Sequence, residues 1–435
     1  MADIKRDAGA ALKEAGLACT AGELDDAYMA ASSRVMRDLI FDEGKRVDGR
    51  ALTQLRDLGA EVKVLPLVHG SSVFERGNTQ TLATVTVGSL KDVQSLDGLT
   101  GPATKRMMLH YAFPAFSINE VPKRGGLSRR EIGHGALAEK SLAGMFPSEA
   151  EFPFAVRINA ETLESNGSSS MAAVCSGSLA LMDAGVPMKE HVGAISVGLV
   201  MDEDAATGTV TRHRLLADIM GLEDVLGDMD FKIAGTRGGI TGIQLDCKPA
   251  GIPLDILIEA LGLASSARQD VITVMEAALP AWRQERRAGQ PCHGSTRIRP
   301  DFVGRLIGQG GSTVKGIEGK TGATVNIPKD EPNDADGMMT VTVFAPTAAA
   351  LEECLQMIAD LQVMPAVGTT YAGVVLEVKS FGWLVKISDS GTGLLHISEW
   401  DHEYHADTVG KLAVGDAVDV KCIDLDGSKI KLSRK

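Results

Sequence analysis

Between residues 164 and 187 the chain reads ESNGSSSMAAVCSGSLALMDAGVP. Polar Ser, Asn and Gly pass into a run of small and apolar residues that ends at Gly185, with Pro187 just beyond, a helix-stop signal. A helix of that composition has to be buried. Its entrance, Ser168-Ser169-Ser170, gathers free backbone N–H groups, the positive end of the helix dipole and several hydroxyls at one spot, which suits an oxyanion or a phosphate. Ordinary N-capping needs one serine and leaves the other two unexplained.

A second cluster, GLEDVLGDMDFKIAG over 221–235, crowds Glu223, Asp224, Asp228 and Asp230 at a glycine-bearing turn before a strand, with Lys232 on the same strand face as Asp230. Alone it reads as a solvated acidic turn. Beside an anion cradle it becomes a place where carboxylate oxygens hold a hard divalent cation, because phosphoryl chemistry needs both parts. A third feature supplies positive charge: Lys105, Arg106, Lys123, Arg124, Arg129 and Arg130 stand against one acid, Glu120. Arg129 and Arg130 precede a helix start that includes His134, where guanidinium groups can grip phosphate bidentately.

Two further motifs bear on nucleic acid. Gly308-Gln309-Gly310-Gly311 lies between helical patterns, and a GXXG loop is the element with which KH modules approach a sugar-phosphate backbone. Six basic residues, Arg305 and Lys315 among them, face two acids from Arg297 to Lys329. The tail from 371 to 400 alternates apolar and polar residues and offers Tyr371, Phe381, Trp383 and His396 as rings for base stacking in an OB-type barrel, Phe381 being the ring most suited to fill the core instead.

The elements that must position these groups follow from periodicity. Residues 1–45 read as helices, a mixed α/β core occupies 46–280, and PAWRQERRAGQPCHG over 280–294 is aperiodic and reads as a linker. Within the core, helices are expected near 131–144, 168–184 and 254–278 and strands at 192–201 and 231–248, with a hairpin turn at Arg76-Gly77-Asn78. Residues 295–362 read strand, helix, strand, helix, and 367–435 as a small all-β barrel.

Composition limits the rest. The 435 residues suffice for two to four domains, and there is neither an 18-residue apolar run nor a signal or transit pattern, so a soluble chain is expected. A net charge of −13 excludes a protein that coats nucleic acid over its whole surface, so any RNA site must be local. Six scattered cysteines fit a reducing compartment and not a structural metal.

Taken together, RVDGR, VHGSSVFERGNTQ, MLHYAFP, RREIGHGALAEKSL, LESNGSSSMA, LALMDAGVP and GDMDFKIAG, followed by the KH and barrel patterns, resemble the polynucleotide phosphorylase family in order and spacing, with RREIGHGALAEK and KPAGIP leaning toward its animal mitochondrial branch. The resemblance implies an α+β RNase PH-like core (ribosomal protein S5 domain 2-like), a KH domain and an OB-fold. It implies phosphorolysis of RNA 3′ ends to nucleoside diphosphates, with Mg2+ or Mn2+ and with inorganic phosphate as co-substrate. Carried over by motif, phosphate would lie on Ser169 and Ser170 beside Ser168, and the metal on Asp224 and Asp230 with Lys232 nearby. Asp230 would serve as proton donor to the leaving oxygen, and Arg129, Arg130 and His134 would line the cleft. Single-stranded RNA would meet Gly308, Gln309, Gly310, Gly311, Arg305 and Lys315, then the four barrel rings. A homotrimer, an RNA helicase or degradosome partner, and a mitochondrial or cytoplasmic location are further implications. Family members carry a first RNase PH-like core ahead of the helical region, whereas this sequence starts inside that region, as a truncated product would, which puts the first core's channel contacts and the full trimeric ring in doubt. Two alternatives stay open: a non-catalytic RNA-binding scaffold, and a hydrolytic nuclease, against which the anion cradle argues.

Overall fold

The computed structural model describes every residue except 1, 18, 99–100, 122–127, 205–206, 286–288, 329–336, 388–390, 402–410 and 427–428. Two compact units result, Met1–Arg287 and Ala288–Lys435.

The first unit opens with helices Ala2–Glu14 and Ala21–Asp38, the second started by a capping box in which Thr20 and Glu23 satisfy each other's backbone N–H groups. Two sheets follow. One has five strands in the order Leu58–Val62, Gly70–Arg76, Thr79–Gly88, Ala155–Glu164, Met107–Ala112, the last pair parallel. The other is antiparallel, in the order Ile240–Cys247, Met229–Gly235, Gly193–Glu203, Val210–Ala217. Alternate residues of Thr79–Gly88 are buried, as a strand with one face on a core requires.

Helix Ser169–Asp183 packs on strands of both sheets and every one of its residues is buried. Small residues are needed there because backbones come close. A β-carbon on Gly70 would stand 2.3 Å from the Ala180 carbonyl oxygen. Helix Leu254–Ala278 packs on the second sheet, and helix Arg129–Ala143, capped by the Ser128 hydroxyl, packs on Met107–Ala112 and Ile240–Cys247. The stretch 231–248, expected as a single strand, is a hairpin: Arg237-Gly238-Gly239 reverses the chain, closed by the Thr236 N–H donating to the Gly239 carbonyl.

In the second unit, strands Cys292–Ile298, Met339–Ala345 and Thr324–Asn326 form an antiparallel sheet with helices Pro300–Ile307, Ser312–Thr321 and Ala348–Leu361. The order is strand, two helices, two strands, helix, with the GXXG segment between the two helices as the sequence reads and a short added strand, Thr324–Asn326, before Met339–Ala345. The first strand starts at Cys292, within the stretch read as linker. Phe302, Leu306, Ile317, Val341, Val343 and Ile358 fill this core. A closed five-stranded barrel of Thr370–Lys379, Gly382–Lys386, Thr392–His396, Lys429–Ser433 and Ala417–Asp426 completes the unit, the OB-type architecture.

One polar knot sits inside the first unit. Asp218, with no exposed surface and φ of 55°, accepts a bidentate pair from Arg56 (2.9 and 2.7 Å) and a further bond from Arg76 (2.9 Å). Burial opposes its charge, but the two guanidiniums hold its carboxyl well below the usual carboxylate range. A lowered folded-state pKa contributes stability that is complete above the ordinary Asp value and is lost as pH falls through it toward the folded value. Asp218→Ala strands two buried guanidiniums and is expected to cost about 3–5 kcal/mol at pH 7 in urea unfolding, with the difference from the unmodified chain shrinking below about pH 4. A loss under 1 kcal/mol would show that the knot carries no such weight.

Candidate active site

The loop before the buried helix is set from below. Arg56 donates to the Asn166 carbonyl (2.9 Å), the Thr79 hydroxyl donates to the Gly167 carbonyl (2.9 Å), and Thr79 accepts from the Asn166 N–H (2.9 Å). Gly167 has φ of 89°, and a β-carbon there would stand 2.6 Å from the Gly221 nitrogen. Only glycine lets the serine loop lie directly against the segment that opens helix Gly221–Leu226, on which Asp224 sits.

The three serines separate in role. Ser168 adopts the left-handed conformation (φ 59°), makes no side-chain cap and pairs its hydroxyl with that of Ser196. The Ser169 hydroxyl bonds the Tyr111 hydroxyl at 2.8 Å. The Ser170 hydroxyl is buried without a partner. Simple N-capping therefore does not account for them.

Opposite stands the hairpin. Its register sets Asp230 against Asp246 and Lys232 against Gln244. The Lys232 ammonium lies 2.8 Å from an oxygen of Asp230 and 2.8 Å from one of Asp246, while the other Asp230 oxygen is buried and unpartnered. Burial pushes the Asp230 carboxyl up despite the counteracting Lys232 charge. The remaining acids of the cluster have other duties. Glu223 forms a fully buried pair with Arg46, and Asp228 accepts from Arg37 (2.7 Å) and from the Met201 N–H (2.8 Å).

Helix Arg129–Ala143 forms the third wall. Burial, then the nearby Lys232 and Arg130 charges, push His134 down to about 4, so its ring is neutral at pH 7, with Nδ1 buried and unpartnered. The Arg130 guanidinium lies 4.0 Å from the centre of the Phe113 ring. Arg129, Arg130, His134, Ser168, Ser169, Ser170, Asp224, Asp230 and Lys232 all line one cavity of about 580 Å³, joined by Gln244 and Asp246. Lys105 and Arg106, by contrast, pair with Glu139 and Glu149, and Lys123 and Arg124 lie outside the described residues. Asp224 and the bare Asp230 oxygen are hard donors that fit a divalent cation. Two protein carboxylates suit Mg2+, which keeps several of its waters.

Sequence reasoning missed Asp246 and Gln244, and it singled out Tyr111 only as part of MLHYAFP, without a role. The first two become visible once a turn is placed at Arg237-Gly238-Gly239, since pairing then brings them opposite Asp230 and Lys232.

In the second unit Gly308, Gly310 and Gly311 have φ of 71°, 60° and 81°, and a β-carbon on Gly308 would meet the Thr313 hydroxyl at 2.3 Å. Gln309 and Lys315 are exposed beside them, and Arg305 lies half-buried over Phe302. On the barrel, Phe381 is 45% exposed, His396 is exposed and Tyr371 is half-buried, its hydroxyl accepting from the Ala366 N–H. Trp383 is not a surface ring. It is fully buried, 5.0 Å from Trp400, because strand alternation turns it inward with Val385, and Phe381, the ring expected to fill the core, points outward.

Comparison with known proteins agrees with this architecture. The 3′ exoribonuclease family, domain 1, matches residues 54–187, the KH domain matches 295–360 and the S1 RNA binding domain matches 364–435. The rice (Oryza sativa subsp. japonica) protein named "Polyribonucleotide nucleotidyltransferase 2, mitochondrial" is 47% identical over 92% of this chain and 40% of its own length. Its Arabidopsis thaliana namesake is 42% identical over 100% and 43%. The polyribonucleotide nucleotidyltransferase of Methylacidiphilum infernorum is 43% identical over 100% and 60%. The chain thus spans about half the length of the curated relatives it matches. With RNase PH, KH and S1 domains in this order and identity above 40% along its length, the chain belongs to the polyribonucleotide nucleotidyltransferase family.

Proposed function

We propose that the chain is a 3′-to-5′ phosphorolytic exoribonuclease that uses inorganic phosphate to release nucleoside diphosphates from RNA. One observation carries this: Ser170 Oγ, His134 Nδ1 and one oxygen of Asp230 are buried, lack partners and belong to residues lining the same cavity. A donor end and an acid end facing each other are what an in-line displacement at phosphorus requires.

In this reading Ser169, Ser170 and the helix N–H groups hold phosphate beside Ser168, while Arg129 and Arg130 draw in the phosphates of the RNA end. A phosphate oxygen attacks the terminal phosphodiester, the bond from phosphorus to the 3′ oxygen breaks, and the departing oxygen takes a proton from Asp230. The raised carboxyl of Asp230 suits a donor, Lys232 steadies it, and neutral His134 adds no competing charge. Mg2+ or Mn2+, held by Asp224 and Asp230, would supply neutralisation of charge on the reacting phosphate oxygens.

We assign residues 1–45 to a helical segment, 46–280 to the catalytic core, 281–291 to a linker, 292–362 to the KH domain, whose first strand starts at Cys292 and not at the 295 read from the sequence, and 367–435 to the barrel. Gly308 to Gly311, Arg305, Lys315, Tyr371, Phe381 and His396 hold single-stranded RNA. A homotrimer, an RNA helicase or degradosome partner and a mitochondrial or cytoplasmic location complete the proposal. No helix among the described residues is long and apolar enough to cross a membrane.

The test is incubation of the chain with RNA and Mg2+, with and without phosphate, and identification of the products. Nucleoside diphosphates formed only with phosphate are expected; monophosphates would mean that water is the nucleophile, and no product would support the scaffold alternative.

Asp230→Asn is expected to lower product release at least a hundredfold with RNA affinity unchanged. A raised folded-state pKa means the ionised carboxylate costs stability above that value, so this variant should melt no lower than the unmodified chain at pH 7 and lose any advantage below about pH 4. Full product release by it would remove Asp230 from the chemistry.

Removal of residues 288–435 should weaken RNA binding and flatten its dependence on salt, since basic contacts of the second unit release counterions. Filter binding at several salt concentrations reads both. Equal affinity and slope in the two forms would assign RNA capture to the core.

A further inference from the structure

Tyr111 lies in none of the motifs to which the proposed chemistry assigns a role, yet it touches two of them. It sits on strand Met107–Ala112 with 2% of its surface exposed. Its hydroxyl meets the Ser169 hydroxyl at 2.8 Å, and its ring lies 5.8 Å from that of His134 and 6.3 Å from Phe113, the ring that Arg130 covers. Backbone from helix Arg129–Ala143 closes against it: a β-carbon on Gly135 would stand 3.5 Å from the Tyr111 β-carbon.

We propose that Tyr111 is a positioning residue that aims the Ser169 hydroxyl at a bound phosphate, so that Ser169 and Ser170 are unequal donors. The proposal rests on the phosphorolytic reading. Two hydroxyls in contact share one bond and have one spare proton between them. If Ser169 donated to Tyr111, it would turn lone pairs toward an anion at the helix entrance. If Tyr111 donates to Ser169, the serine proton is released toward the anion, and the two bonds polarise each other in one direction. Burial pushes the Tyr111 phenol up, so at neutral pH it keeps the proton that this second arrangement requires. Ser170 has no such backing: its hydroxyl is buried without a protein partner and must find its bond on the ligand itself.

Tyr111→Phe keeps the ring and removes one oxygen. With the full chain, RNA and Mg2+, the KM for phosphate is expected to rise roughly five- to tenfold, as for one lost hydrogen bond between neutral groups, with the effect concentrated in KM rather than kcat. RNA affinity and melting temperature should stay put. Ser169→Ala should give a rise of the same size, and Tyr111→Phe added to it should do nothing more, whereas Tyr111→Phe and Ser170→Ala should multiply. An unchanged KM for Tyr111→Phe in a chain that does use phosphate overturns the inference while leaving the phosphorolytic reading intact. So does a drop in melting temperature with KM unmoved, which would make Tyr111 a packing residue. If the unmodified chain releases no diphosphates, the phosphorolytic reading fails, and titration of inorganic phosphate followed by 31P NMR still decides: equal binding by the unmodified and Tyr111→Phe chains, or none by either, rejects the role for Tyr111.

Discussion

A single carboxylate, that of Asp218, holds the first unit in register. Arg76 ends a strand of the first sheet and donates both to Asp218 and to the Ala194 carbonyl on the second (2.6 Å), while Arg56 joins the same carboxylate to the Asn166 carbonyl of the serine loop. The Asp218 backbone carbonyl in turn accepts from Arg46, whose guanidinium grips Glu223 one residue before Asp224. Buried ion pairs are poor sources of net stability, since desolvation offsets most of the attraction, but they are costly to break once made. Their contribution here is positional. Both arms of the cleft are tied to one residue, the serine loop through the Asp218 carboxylate and the Asp224 arm through the Asp218 backbone carbonyl.

This explains which parts of the site were legible in the sequence. The serine-led helix could be read because its meaning is local: small residues need burial, and a polar entrance to a buried helix has few uses. The GXXG loop was legible for the same reason. The acidic cluster was half legible. Four acids in one turn look alike in sequence, but Glu223 belongs to Arg46, 177 positions away, and Asp228 to Arg37, 191 away. Asp246 and Gln244 were invisible until a turn set the hairpin register, because cross-strand partners are defined by pairing and not by spacing. On the barrel, Trp383 falls on the inward face of strand Gly382–Lys386, whereas Phe381 sits in the turn before it and escapes that alternation.

The charge distribution supports the same division. A chain of net charge −13 repels RNA at a distance, so capture must come from local positive ground. In the cleft that ground is narrow. Lys232 is held between two carboxylates, which leaves Arg129 and Arg130 at the rim as its outward cations among the lining residues. The glycine loop and exposed rings of the second unit offer backbone approach and stacking instead, which depend less on net charge.

The missing side chain of Gly167 sets a mechanical tolerance. Where two loops meet through side chains, each can slip by a rotamer without disturbing the other. Here backbone lies on backbone, with the Gly167 α-carbon seated over Met220 and Gly221, so the clearance is a matter of tenths of an ångström. A displacement of the serine loop is handed directly to the helix bearing Asp224, and the reverse holds equally. The gap between the two ends of the cleft behaves as a gauge block cut in the main chain, inherited from the fold.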